Sequence, residues 1–338
     1  MAKAFITGVE GLVLTPAEQR LLSTSRPAGL ILFARNCQSA TQIRALIAAF
    51  KSAVGCGRVL ILIDQEGGRV QRLKPPLADM LPPAAAYAAH CPDDPAGAAH
   101  AARLVARHAA DALRGLGINT DCAPVLDVPV PGAHDIIGNR AFAADVAPVI
   151  SLGRAFAEGL IAGAVVPVMK HIPGHGRAGA DSHLELPVVA ASREALIERD
   201  FQPFRALSAL PAAMTAHVVF SAIDPHRPAS TSPTVTGEII RDHCGFDGLL
   251  MSDDLGMKAL AGTFEARTAA VLAAGSDLAL HCSGVLAEMT AVADAAPVLD
   301  GAALARFERA LAVSERQPEP YDQVAARRLL ERLVTRIV

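Results

Sequence analysis

Residues 170–187, KHIPGHGRAGADSHLELP, bring Lys170, His171, His175, Asp181 and His183 into a stretch broken by three glycines and two prolines. Glycine and proline at that density mark a loop. Other chemistry-bearing residues fall in three further clusters. DQEGGRVQRL (64–73) supplies Asp64, Glu66, Arg69 and Arg72; Asp127 and then IIGNRAF (136–142) supply Asn139 and Arg140; MSDDLGMKAL (251–260) supplies Asp253 and Asp254. His217 stands alone inside an apolar run.

Three chemistries compete for these parts. His171 and His175 are four apart, the spacing of a helical zinc pair, but Pro173 and Gly174 between them deny the helix, and HExxH is missing. No metal or other cofactor is therefore expected. Lys170 could form an imine if desolvated, although nearby carboxylates would keep it charged. Glycoside cleavage needs a carboxylate nucleophile, a proton donor and polar groups for sugar hydroxyls, and all are present. Each residue also has a plainer reading. Asp64 could cap a turn. Arg72 and Arg140 could form surface ion pairs. His175 could hydrogen-bond its own loop, His217 could be a satisfied core histidine, and one of Asp253 and Asp254 could be structural.

Something must position these clusters. Eight short apolar runs read as strands: 4–9, 29–33, 58–64, 118–125, 165–170, 212–220, 248–253 and 276–282. Continuous rather than alternating apolarity suits strands buried on both faces of a parallel sheet. Helical patterns separate most of them. Residues 39–53 start at Ser39 with Gln42 three positions on, a capping-box spacing. Residues 96–115 are alanine-rich, and Ser232-Pro233 reads as a helix start. Segments 302–315 and 322–337 are predicted as extra C-terminal helices. The expectation is an α/β protein, a single (β/α)8 TIM-type barrel spanning one domain, 1–338. The doubly wound alternative lacks GxGxxG after its first strand. In a barrel, functional residues belong at the C-terminal strand ends. The clusters above follow the third, fourth, fifth and seventh strands.

Composition narrows the partners. Of 338 residues, 51% are hydrophobic and 19% charged, which a globular chain requires. A net charge of −3 with no basic run argues against nucleic acid and membrane-surface binding. No apolar run approaches membrane-span length, and the N-terminus lacks the pattern of a signal peptide. Six scattered cysteines without CxxC suggest reduced thiols in a cytoplasmic protein. Trp is absent and Tyr occurs twice, so a long aromatic-lined polysaccharide cleft is not expected.

Taken together, KHIPGHG…ADSHLELP, DQEGGRVQRL, GNRAF (138–142), MSDDL (251–255) and GLILFARN (29–36) resemble the family 3 glycoside hydrolases. The resemblance is strongest to bacterial β-N-acetylglucosaminidases of peptidoglycan recycling and runs from about residue 5 to 285. It implies a (β/α)8 barrel and a retaining, exo-acting β-N-acetylhexosaminidase. Asp253 matches the nucleophile. Asp181 and His183 match an acid/base dyad. Asp64, Arg72, Arg140, Lys170 and His171 match the groups that hold a terminal N-acetylglucosamine. The implied partner is a small-molecule glycan, a muropeptide fragment, and the implied state is a monomer. Two positions depart from the family pattern: Gly256 behind Asp253, and His281-Cys282 at the end of the eighth strand. Phosphorolysis and a non-catalytic sugar-binding role stand as alternatives.

Overall fold

A computed structural model describes residues 1–182 and 184–335. Eight strands form one closed parallel ring: β1 (Lys3–Thr7), β2 (Pro27–Leu32), β3 (Leu60–Ile63), β4 (Thr120–Asp121), β5 (Val166–Ile172), β6 (Ala212–Thr215), β7 (Leu249–Asp254) and β8 (Leu278–His281). Neighbours in the ring are neighbours in sequence, and β8 closes on β1 through Phe5 opposite Ala279. Helices lie outside, among them Ala40–Val54, Pro95–Gly115 and Val146–Ala162. This is the predicted (β/α)8 barrel.

The continuous apolarity of the strands has a direct cause. In β3, Leu60 and Leu62 point into the barrel interior, whereas Ile61 and Ile63 pack under the helical shell. Successive side chains face opposite sides, and here both sides are dry. Leu62→Ala would cost roughly 2–5 kcal/mol, since a neighbouring strand cannot collapse into the gap. Phe307 and Leu311 of the helix Gly301–Ser314 join the interior cluster. Leu329, Leu330 and Leu333 of Gln323–Thr335 join the outer one.

Of the strands that fall short of their predicted runs, the fourth and sixth do so most. The fourth stops at Asp121 because Pro124 has no N–H for the ladder, although Val125 still bridges Lys170. The sixth ends at Thr215, and Val219–Phe220 pairs outside the barrel with Val188–Val189. The capping box at Ser39 is half formed. Ser39 Oγ accepts from Gln42 N, but Gln42 Oε1 accepts from Gln38 N instead of Ser39 N. A complete box occurs at Thr15 and Glu18, opening the helix Pro16–Ser25, which the sequence reading did not place. Ser232 does cap its helix, accepting from Val235 N at 3.1 Å. Among the described residues, no helix is long and apolar enough to cross a membrane. All six cysteines are free thiols.

Candidate active site

The C-terminal ends of the strands surround a cavity of about 540 Å³. Its walls include Asp64 just after β3, Lys170 and His171 from β5, and Asp253 and Asp254 from β7. Arg72 and Arg140 reach in from the loops behind β3 and β4. Thus six residues predicted for the site, Asp64, Arg72, Arg140, Lys170, His171 and Asp253, line one cavity. Asp181 is described but does not line it; His183, the other half of the expected dyad, lies outside the described residues.

The cations and carboxylates form an alternating chain. Arg72 Nη2 lies 2.9 Å from Asp64 Oδ2, and Lys170 Nζ lies 2.8 Å from Asp64 Oδ1 and 2.6 Å from Glu66 Oε1. Arg140 then grips Glu66 with Nε and Nη2, both at 2.8 Å. Two-point guanidinium–carboxylate contact fixes orientation as well as charge. Burial by itself would raise both carboxyls. For Asp64, Lys170 and Arg72 outweigh it; for Glu66, Lys170 and Arg140 do; both carboxylates are held below their ordinary range. Burial likewise disfavours the Lys170 ammonium, but Asp64 and Glu66 raise its pKa above that of an ordinary lysine. The Schiff-base role needs a neutral amine, and this environment opposes one. The Arg72 guanidinium also lies 5.2 Å from the Phe33 ring centroid, with Arg35 at 4.8 Å.

A second cluster centres on Asp127, a fully buried residue after β4. Its Oδ2 is 2.7 Å from His171 Nδ1, and its Oδ1 accepts from His175 N at 2.7 Å. His171 therefore points Nδ1 inward and leaves Nε2 for the cavity. His175 Nε2 meets Ser182 Oγ at 3.0 Å, the within-loop bond that the plain reading anticipated. Burial, with the neighbouring His171, pulls the His175 pKa down to about 4. The loop runs so close to Val128 that a Cβ at Gly176 would stand 2.1 Å from its carbonyl oxygen.

The two adjacent aspartates of β7 differ. Asp254 is tied into the scaffold: Oδ1 accepts from Gly256 N at 3.0 Å and Cys282 N at 3.1 Å. The Gly256 amide thus ties this turn to Asp254. His217 is satisfied, with Nε2 against Asp254 O and Nδ1 against Ser230 Oγ. The carbonyl forces the proton onto Nε2, so Ser230 donates to Nδ1. Asp253 is half-buried on the cavity wall, with Oδ1 accepting from Asp254 N at 2.8 Å. A half-exposed carboxylate opposite a cationic chain can serve as a nucleophile toward an electrophilic carbon held between them.

The glycosyl hydrolase family 3 N-terminal domain matches residues 9–312. The chain belongs to glycosyl hydrolase family 3. A β-hexosaminidase of Alkalilimnicola ehrlichii is 41% identical over 300 residues, covering 87% of this chain and 85% of that protein. Among solved structures, NagZ from Neisseria gonorrhoeae in complex with N-trifluoroacetyl-D-glucosamine superposes with a TM-score of 0.87 at 31% identity, covering 98% of each chain. A family 3 β-N-acetylglucosaminidase from Paenibacillus sp. gives 0.84 at 29% identity; the match covers 98% of this chain and 66% of that longer one.

For a family 3 glycosyl hydrolase, the sequence clusters named most of the cavity wall. They left Glu66 and Asp127 without roles. Glu66 joins Lys170 to Arg140, and Asp127 joins His171 to His175. Strand-tip position was the available signal for both, but their partners are 74 and 44 residues away.

Proposed function

We propose that this family 3 glycosyl hydrolase is a retaining exo-β-N-acetylglucosaminidase. It removes a terminal non-reducing N-acetylglucosamine from peptidoglycan-derived GlcNAc-anhydro-muropeptides, acting as a cytoplasmic monomer. The observation that carries the reading is the single cavity walled by Asp253 on one side and the Arg72–Asp64–Lys170–Glu66–Arg140 chain on the other. Charged hydrogen bonds of that kind suit a single polar sugar, and the cavity volume fits one ring with its aglycone stub. The β-hexosaminidase and β-N-acetylglucosaminidase relatives support the sugar class.

In this mechanism Asp64, Arg72, Arg140, Lys170 and His171 hold the sugar. Asp253 attacks the anomeric carbon while His183 gives a proton to the departing oxygen, and Asp181 orients the imidazole. The glycosyl–Asp253 ester forms as the glycosidic bond breaks. His183, now neutral, takes a proton from water, which attacks the same carbon and releases Asp253. Two inversions retain configuration. Histidine exchanges a proton near neutral pH because its ordinary pKa is about 6.5.

The test is release from 4-nitrophenyl β-N-acetylglucosaminide, with the β-glucoside as control. Wild type and His183→Ala are compared, with and without phosphate, and the first-formed anomer is read by NMR. N-acetyl-selective release of the β-anomer, largely lost in the mutant and independent of phosphate, is expected. A sugar 1-phosphate product would replace hydrolysis by phosphorolysis. No release from either sugar would sink the assignment.

A further inference from the structure

The proposed chemistry leaves the buried His175 without a role. His175 is 3% exposed and sits on the cavity wall beside His171, the two rings 5.6 Å apart and edge to face. Its backbone N–H and its Nε2 have different partners. The N–H donates at 2.7 Å to Asp127, the carboxylate that also holds the His171 ring. Nε2 lies 3.0 Å from the hydroxyl of Ser182, itself only 3% exposed. Ser182 falls between Asp181 and His183 in sequence.

We infer that His175 is a positioning residue: it links the Asp127–His171 floor of the sugar site to Ser182, and so holds Asp181 and Ser182 in place beside the bound sugar. This deepens the proposed function and rests on its acid/base assignment. Three features support the link. Asp127 is fully buried and accepts from His171 N and Nδ1 as well as from His175 N, so the floor end is rigid. Gly176 passes against Val128 with no room for a side chain, and Val130 N donates to Gly176 O, so the loop root is pinned. Burial keeps the imidazole neutral at physiological pH, so the Ser182 contact persists where the enzyme would work. Beyond the root, the chain from Gly179 to Asp181 has no regular secondary structure to hold it. The Ser182 contact adds a buried side-chain tie to a segment whose errors of about 1 Å cost rate.

The test separates proton donation from sugar binding by leaving group. Hydrolysis of the 2,4-dinitrophenyl β-N-acetylglucosaminide needs little proton donation; that of the 4-methoxyphenyl glycoside and of chitobiose needs much. Ser182→Ala is expected to lower kcat/KM about tenfold or more on the poor leaving groups and less than about threefold on the activated one. Ser182→Thr should restore most of the loss. His175→Phe should behave as Ser182→Ala does, and the double variant should lose no more than the worse single. Equal loss on every leaving group, or loss on none, would overturn the inference while leaving the hydrolase intact. If wild type releases nothing, the proposed function fails instead, and trypsin reads the link directly. Cleavage after Arg177 should then be faster in Ser182→Ala, and equal rates would overturn the link.

Discussion

Lys170 Nζ and Asp64 Oδ1 stand 2.8 Å apart, both side chains nearly buried, although 106 residues separate them in the chain. The same ammonium contacts Glu66, so one cation serves two carboxylates at the mouth of the barrel. Such an ammonium is a fixed charge for a polar ligand and a poor amine nucleophile.

Replacing Lys170 therefore exposes two buried carboxylates to each other. Lys170→Met is expected to destabilise the fold by about 3–5 kcal/mol, the usual cost of removing one partner from a buried pair. Chemical denaturation of the variant and wild type checks this. Borohydride with a carbonyl sugar should leave wild-type Lys170 unmodified by mass spectrometry; a stable adduct there would revive the imine chemistry.

His175 and the Asp64–Glu66 pair each lower stability on acidification, in separate pH windows. The His175 pKa, lowered to about 4, means that below pH ~6.5 the unfolded chain binds the proton that the folded chain refuses. Its contribution is present at neutral pH and lost as pH falls through that window. Asp64 and Glu66, held low mainly against burial by their cations, contribute above the ordinary carboxylate range and lose that contribution below it. Melting temperatures from pH 7.5 to about 2 should show both, and His175→Phe should flatten the first while leaving the second. An unchanged slope between pH 6.5 and 4.5 would contradict the His175 assignment.

Asp121 should show the opposite sign. Burial pushes its carboxyl up to about 7, opposed by the Gln65 amide, and its Oδ2 is buried without a hydrogen-bond partner among the described residues. A raised carboxyl contributes below its folded pKa and costs stability as pH rises through it. Asp121→Asn keeps an acceptor for Gln65 N–H and removes the charge. The variant should melt at least as high as wild type at pH 8, with the advantage shrinking at pH 5. A lower melting point at pH 8 would show that the charge is needed.

Asp253→Asn should reduce kcat by at least about 10³-fold on the aryl N-acetylglucosaminide, the scale on which nucleophile loss is felt. A 5-fluoro N-acetylglucosaminyl fluoride should leave a covalent sugar on the wild-type peptide that contains Asp253. Labelling of the Asp254 peptide residue instead would exchange the roles of the two aspartates.

What the sequence determined by itself was local or cumulative. Eight apolar runs were visible because each strand is buried on both faces, and a period-free apolar stretch needs no partner to be read. Family membership was equally legible, since KHIPGHG, DQEGGR and SDD are contiguous. The Ser39 cap was read half wrongly because Gln42 had an equally near alternative in Gln38 N. Only the tertiary structure decided which charges meet. Glu66 became the bridge between Lys170 and Arg140, Asp127 the hinge pin of two histidines, and Asp254 a wall residue whose carboxylate is tied to Gly256 and Cys282. Closing the ring puts the C-terminal strand ends side by side, and Coulomb and hydrogen-bond energies act over a few ångströms of space, whatever the distance along the chain.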